Sequence, residues 1–225
     1  MKKRSKKSRF NVVKFFLVLV IVYLVGFSVY KLVGMPIRHL RVLNNSYLKE
    51  QSILRETKLD DYPSFFLTTT SSIKRKLKSN PYIKDIKVEK KWFCHLYLYV
   101  DEYRALFYNR ALGKVVLENN TLVDIDDFMP LPHLINYVPD NLYDEFVKQM
   151  ANVEPEILLK ISEIEYRPNN VDKERFLLTM NDGNYVYLTL YTFAKVNKYD
   201  EILPTLENQK GILNLDSGNY FEIIN

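Results

Sequence analysis

The strongest pattern in the sequence is one uncharged apolar run near its start. Phe15–Tyr30 contains no charged side chain, and twelve of its sixteen residues are Leu, Ile, Val or Phe. With Lys14 extending its ammonium toward lipid head groups, the run approaches the ~20 residues that cross a bilayer as a helix. We predict a transmembrane helix over residues 15–33. The alternative is a cleavable signal peptide, whose apolar region is usually shorter, roughly 7–15 residues.

After this run, the polar and apolar positions alternate in patterns typical of strands and helices. Their order is strand, helix, helix, strand, strand. The predicted elements are a strand at Ile37–Val42, a helix capped by Ser46, a helix from Thr70 carrying Ile73 and Leu77, and strands around Ile86–Val88 and Leu96–Val100. Two helices on one face of a three-stranded sheet would close a small core, so we predict a first domain over residues 36–104.

The rest of the chain, residues 105–225, predicts a mixed β-sheet domain with flanking helices. Asp182-Gly183 is its strongest turn signal, because Gly accepts the positive φ angles of tight hairpins. The predicted strands are Ala105–Asn109, Lys114–Glu118, Thr121–Asp124, Ile161–Tyr166, Arg175–Met180, Tyr185–Leu190 and Gly211–Leu215. The predicted helices are Asn141–Met150 with Asp140 as N-cap, one opened by Pro155, one through Phe193 and Val196, and one around Ile202–Leu206. The fold class is therefore α+β.

The charge of the chain is unevenly distributed. The whole sequence has 32 Lys and Arg, 27 Asp and Glu and a net charge of +5, yet the first fourteen residues carry seven bases and no acid. Without those seven, 25 bases face 27 acids, a net charge of −2. This excludes a general nucleic-acid-binding surface. Positive flanks stay cytoplasmic, so we predict a cytoplasmic tail over residues 1–14 and an extracytoplasmic body, the single-pass type II arrangement.

We find no pattern that indicates catalysis, a cofactor or a metal, and no small-molecule substrate is predicted. The three His residues are far apart in sequence, and the lone Cys94 adjoins His95 on what we predict to be one strand, where neighbours face opposite sides. The loop carboxylates Asp124, Asp126 and Asp127 lack the Gly and distant Glu of a calcium loop. They keep one alternative open, a membrane-anchored cell-wall enzyme that uses a carboxylate pair.

Two segments carry a family resemblance. Arg41–Leu54 and Asn80–Val88 resemble the polypeptide-transport-associated (POTRA) domain, and with the basic tail and single span the layout is similar to the DivIB/FtsQ family of bacterial cell-division proteins. The hairpin Lys90–His95 departs from the expected pattern because it has neither Pro nor Gly. A POTRA-bearing translocation component is a weaker reading, since the chain lacks the length and alternation of a transmembrane barrel.

The resemblance implies a non-enzymatic scaffold at the division septum that controls septal peptidoglycan synthesis. It implies FtsB/DivIC-type and FtsL-type membrane partners, docked at the end of the second domain. Asp216-Ser217-Gly218 matches the family's terminal turn, so Ser217 and Gly218 carry over as partner-binding residues, and Leu215 stands where some members have an aromatic. Leu213, Tyr220 and Phe221 join this set because of the apolar edge that they would present. The alternative for the two leucines is that they belong to the core.

Overall fold

The computed structural model describes residues 12–124, 130–206 and 209–224. The chain divides into two compact units, Met1–Asp101 and Glu102–Asn225, and each is described by itself.

The first unit begins with one long apolar helix, α1, at Val12–Val33. None of its residues is buried by protein, and among the described residues it is the one helix long and apolar enough to cross a membrane. The predicted apolar helix is confirmed, with a start three residues earlier than expected because Val12 and Val13 continue the same pattern past Lys14.

A small α+β fold follows the helix, in the order predicted. Its elements are β1 (His39–Leu43), α2 (Glu50–Thr57), α3 (Thr70–Leu77), β2 (Ile83–Lys91) and β3 (His95–Glu102). The sheet order is β1-β3-β2, and β1 runs parallel to β3 with His39 opposite His95. Ile73 and Leu77 of α3 are buried as expected, against the alternating inward residues Leu96 and Leu98 of β3.

Two local predictions in this unit are wrong. Ser46 does not cap α2, which begins four residues later, after Lys49. The chain turns before the helix starts, because Asn44 takes a left-handed φ of 65° and the Asn45 side-chain Nδ2 donates to the Leu48 carbonyl. Cys94 does not lie on a strand. It ends the tight turn Trp92–Cys94, in which Phe93 and Cys94 both have positive φ, at 66° and 61°.

The second unit is built on one nine-stranded mixed sheet. Its strands are β4 (Ala105–Asn109), β5 (Lys114–Leu117), β6 (Leu122–Val123), β7 (His133–Leu134), β8 (Ile161–Tyr166), β9 (Arg175–Met180), β10 (Tyr185–Thr189), β11 (Gly211–Asn214) and β12 (Tyr220–Ile223). The order is β12-β11-β10-β9-β8-β7-β4-β5-β6. The pairs β10–β11, β4–β7 and β7–β8 are parallel, and the other pairs are antiparallel.

Helical segments supply the other half of the core. They are α4 (Asp140–Ala151), α5 (Pro155–Leu158), a 3-10 helix at Phe193–Lys198, α6 (Tyr199–Ile202) and a 3-10 turn at Leu203–Leu206. Phe146 of α4 stacks on Phe176 of β9 with ring centres 4.8 Å apart, and Phe193 packs edge-on to both. Fully burying one such side chain contributes roughly 1.5–3 kcal/mol. Asp140 is the first residue of α4, not its cap as predicted, because Pro139 occupies the position before it.

Candidate functional site

The last two strands form one end of the nine-stranded sheet. The sequence predicts Gly211–Leu215 as the final strand, but the structure adds β12, which pairs antiparallel with β11 and occupies the sheet's outer position. β11 is therefore an interior strand, held between β10 and β12. The open edge lies one strand further along the chain than the predicted one.

The hydrogen-bond phase of this ladder determines which β12 groups face outward. The Ile224 amide donates to the Lys210 carbonyl at 3.1 Å, just beyond the pairing of Gly211 with Ile223. Bonded and non-bonded pairs alternate along an antiparallel ladder. The N–H and C=O of Phe221 and Ile223 therefore point away from β11, toward the open edge.

A cleft of about 430 Å³ lies beside these strands. Its apolar surface comes from both β11–β12 and the helical crossover that joins β10 to β11. The lining residues are Lys195, Lys198, Ile202, Thr205, Leu206, Leu213, Leu215, Asn219, Tyr220 and Phe221. As far as the described residues go, the lining carries two lysines and no carboxylate. The site is an apolar groove with a basic rim, which suits a peptide segment better than a small polar substrate.

The six predicted docking residues occupy different positions around this groove. Leu213 and Leu215 are buried members of the core, at 4 % and 2 % exposure, and also form the floor of the cleft. Phe221 is half-buried against that core, and Tyr220 is 53 % exposed. Ser217 and Gly218 lie in the turn between β11 and β12 and do not line the cleft.

Asp216 anchors the turn. Its carboxylate accepts hydrogen bonds from Arg175 Nε at 2.7 Å and from the Ser217 amide at 2.8 Å. Burial acts to raise the pKa of Asp216, but the hydrogen bonds from Arg175 and the Ser217 backbone outweigh it, so the pKa lies below its ordinary value of 3.8. The Arg175 guanidinium also stacks on Tyr187, 3.4 Å from the ring centre. This cluster ties the turn to β9 and β10.

A second polar cluster holds the start of β11. The Gly211 amide donates to Asn184 Oδ1 at 3.0 Å, Asn184 Nδ2 donates to the Tyr199 hydroxyl at 2.9 Å, and that hydroxyl donates to Asp182 at 2.8 Å. Burial raises the pKa of the Tyr199 hydroxyl, which remains a proton donor. Burial also acts to raise the pKa of Asp182, but the hydrogen bonds from Asn184 and Tyr199 outweigh it and lower the pKa.

Several residues of the site could not be chosen from the sequence. Lys195, Lys198, Ile202, Thr205 and Leu206 come from short helical segments whose apolar spacing is too brief to show which face is covered. One signal was available. β10 and β11 are separated by about twenty residues with helical pattern, and such a crossover between parallel strands packs on one face of the sheet.

The predicted absence of catalytic and metal sites stays a prediction. Among the described residues, no group of three or more His, Cys, Asp or Glu could hold a metal ion. Asp124 forms an ion pair with Lys114 at 3.1 Å, while Asp126 and Asp127 lie outside the described residues. His39 and His95, distant in sequence, lie side by side on β1 and β3, with ring centres 4.5 Å apart.

Comparisons with known proteins agree on one family. Residues 35–103 match the model of the POTRA domain, FtsQ-type. The chain is 27 % identical to the cell division protein DivIB of Bacillus cereus over 191 residues, covering 82 % of this chain and 75 % of that protein. It is 30 % identical to DivIB of Bacillus subtilis over 166 residues, covering 70 % and 62 %.

Solved structures also match the chain. One of them is the major extracytoplasmic domain of the trans isomer of DivIB from Geobacillus stearothermophilus, with 26 % identity and a TM-score of 0.40, over 48 % of this chain and 96 % of that one.

The span, the β-α-α-β-β unit and the mixed sheet define a membrane-anchored, POTRA-containing α+β protein. With the matches to DivIB proteins, the chain belongs to the DivIB/FtsQ family of cell-division proteins. The family resemblance predicted from the sequence is confirmed.

Proposed function

We propose that this protein is a non-enzymatic bitopic scaffold of the division machinery. Its N-terminus lies in the cytoplasm, its two folded units lie outside, and it recruits FtsB/DivIC-type and FtsL-type membrane partners at the septum. By positioning those partners it controls septal peptidoglycan synthesis. The single observation that carries the proposal is the open edge of β12 beside an apolar cleft.

In this proposal the FtsB/DivIC-type partner adds a strand to β12. The outward N–H and C=O groups of Phe221 and Ile223 supply main-chain hydrogen bonds, and the cleft receives side chains of the added segment. The rim lysines, Lys195 and Lys198, favour an acidic segment. Ser217 and Gly218 contribute by setting the turn that brings β12 beside β11, since neither lines the cleft.

A proline at one position tests this mode of binding. Ile223→Pro removes an N–H that points away from β11, so the ladder inside the sheet is kept while the outer edge loses a donor. Ile223→Ala keeps the N–H and serves as the matched control. Losing one or two edge hydrogen bonds, each about 0.5–1.5 kcal/mol, together with the ring's steric bulk, predicts at least roughly tenfold weaker binding.

The measurement is capture of the purified FtsB/DivIC-type partner by the full-length chain. We expect the proline variant and a chain lacking residues 220–225, which removes β12 but leaves the interior strand β11, to lose capture, and the alanine variant to keep most of it. Equal capture by all of these would contradict docking at β12. A division role is tested separately with an N-terminal fluorescent fusion, which we expect at midcell. An even distribution around dividing cells would contradict it.

A further inference from the structure

The POTRA unit exposes apolar side chains in only two places. Between residues 36 and 101, all of which are described, the exposed large hydrophobic side chains number five: Tyr62, Phe66, Leu67, Trp92 and Phe93. Trp92 is 90 % exposed and Phe93 is 79 % exposed. The first three lie in the loop between α2 and α3, and the other two form the tip of the β2–β3 hairpin.

Both places lie at the end of the unit where α1 arrives. Only residues 34–38 separate α1 from β1, so the start of β1 lies within roughly 20 Å of the helix end even if those residues are fully extended. Because β1 is parallel to β3 with His39 opposite His95, the hairpin tip lies beside the start of β1. The Arg38 amide donates to the Cys94 carbonyl at 2.9 Å, which fixes that neighbourhood.

The α2–α3 loop is tied directly to the helix end. The Ser64 hydroxyl donates to the Val33 carbonyl, which has no partner within the helix. The Phe65 amide donates to the Met35 carbonyl at 2.9 Å, and the Ile37 amide donates to the Pro63 carbonyl at 3.0 Å. Phe66 and Leu67 therefore project from a loop that is bonded to the last turn of α1.

One lysine joins the loop to the hairpin. Lys90 of β2 donates to the Phe65 carbonyl, and its ammonium lies 4.6 Å from the centre of the Phe65 ring. The hairpin tip and the α2–α3 loop are thus neighbours on one surface. We define the membrane-facing patch as Phe66, Leu67, Trp92 and Phe93.

We propose that the membrane-facing patch inserts into the lipid head-group layer next to the point where α1 leaves the bilayer. The inference rests on α1 crossing the membrane and is independent of docking at β12. Trp is enriched at membrane–water interfaces because its ring is amphipathic, and exposed Phe and Leu gain from burial among acyl chains. Lys91 directly precedes the tip, and its exposed side chain, which pairs with Glu89 at 3.5 Å, can extend its ammonium toward lipid phosphates. The patch would hold the POTRA unit against the bilayer.

The chain carries its own reporter, because Trp92 is its single tryptophan. The full-length chain is reconstituted into vesicles of phosphatidylethanolamine and phosphatidylglycerol, with flotation as the check that it is inserted. Trp92 fluorescence is then quenched by a lipid with a nitroxide near the head group or by acrylamide in the water. We expect strong nitroxide quenching, a shift of emission to shorter wavelength, and acrylamide quenching reduced several-fold from that of free tryptophanamide.

Three results would overturn the proposal. If the chain does not float with the vesicles, it is not inserted, and the membrane anchor that the proposal requires is missing. Acrylamide quenching equal to that of free tryptophanamide, without nitroxide quenching, would place Trp92 in water. Protection from both quenchers would mean that protein, such as a second copy of the chain, covers the patch instead of lipid.

A double variant tests the patch as a unit while keeping the reporter. Phe66→Ser with Leu67→Ser removes two exposed apolar side chains from the neighbouring loop, and we expect nitroxide quenching of Trp92 to fall several-fold with unchanged helix content. Val171→Ser, which changes a 95 % exposed apolar residue of the second unit, is the matched control and should leave quenching unchanged. Equal quenching in the double variant and the control would contradict insertion of the patch.

Discussion

At the residue scale, Asp216 holds the turn between β11 and β12 through its hydrogen bonds with Arg175 and the Ser217 amide. Its partner Arg175 is only 15 % exposed and Asp216 itself 9 % exposed, so removing one charge leaves the other buried without its partner. We expect Asp216→Ala to lower the free energy of unfolding by about 3 kcal/mol, the low end for breaking a buried pair. Urea unfolding at neutral pH measures this.

An exposed ion pair provides the control. Lys160 and Asp200 are each 43 % exposed, so Asp200→Ala should cost no more than about 1 kcal/mol. Equal losses in the two variants would mean that the Arg175–Asp216 bond adds nothing beyond a surface pair.

The same carboxylate predicts a pH dependence. Because the folded state lowers the pKa of Asp216 below its ordinary value of 3.8, its contribution to stability is fully present above pH 3.8 and is lost as the pH falls through the folded pKa. With Asp216→Asn, the free energy of unfolding should fall less steeply as the pH drops below 3.8 than it does in the unaltered chain. Parallel profiles for the two chains would show that another group causes the acid sensitivity.

β12 lies so close to Gly211 that no side chain fits at this position. A Cβ at this position would lie 2.0 Å from the Glu222 carbonyl oxygen and 2.8 Å from the Phe221 ring. We expect Gly211→Ala to push β12 away from β11, and amide hydrogen exchange at Glu222 and Ile224, whose N–H groups face β11, to accelerate at least tenfold. Gly34→Ala is the control, since its nearest atom would be at an ordinary 3.4 Å. Unchanged exchange in both variants would contradict the close approach.

At the scale of elements, the β2–β3 turn carries an exposed Phe93 whose backbone conformation lowers the stability of the fold. Phe93 holds a left-handed backbone at φ 66°, ψ 28°, which costs a non-Gly residue about 1–2 kcal/mol, while Asn tolerates it. We expect Phe93→Asn to raise the free energy of unfolding by up to about 1 kcal/mol and to lower lipid contact at Trp92. Phe66→Asn, where φ is not positive, should give no gain in stability. A Phe93→Asn variant that is less stable would contradict the cost assigned to this turn.

Clear local sequence patterns explain which elements could be predicted. β8 and β9 have the predicted bounds, because each is a segment of strand length that contains several apolar residues and the Asp182-Gly183 turn marks the end of β9 in the sequence. β12 has four residues of which only Phe221 is half-buried, so its apolar pattern is too short to read. β7 has two residues, and its parallel partners β4 and β8 are distant in sequence.

The candidate site could likewise be predicted only where a local sequence pattern marks it. The turn and the apolar edge could be expected from Asp216-Ser217-Gly218 and the residues around it, but the identity of the edge strand depends on pairing that no local pattern encodes. The outward direction of the Ile223 N–H and C=O groups depends on which residue pairs of the β11–β12 ladder are hydrogen-bonded. The cleft depends on helical segments that the crossover between β10 and β11 places over the sheet. The six docking residues and the domain limits 36–104 and 105–225 stay predictions.

At the scale of the whole molecule, the charge distribution predicts the orientation in the membrane. Seven bases precede or border the span without an acid, whereas the remaining chain has a net charge of −2. From this bias we expect the short basic tail to lie in the cytoplasm. With this orientation, the net charge of +5 would be the sum of a basic cytoplasmic tail and a mildly acidic external body, and we expect that body to have no general affinity for nucleic acid.

A single-cysteine experiment tests this orientation. The chain has one Cys, Cys94, which is buried, so a new exposed cysteine dominates labelling by a membrane-impermeant maleimide. We expect Val171→Cys, at a 95 % exposed position, to be labelled in intact cells, and Ser5→Cys in the basic tail to be labelled only after the membrane is opened. The unaltered chain measures the background from Cys94. Labelling of Ser5→Cys in intact cells, with Val171→Cys protected, would reverse the orientation and remove an external partner from reach of β12.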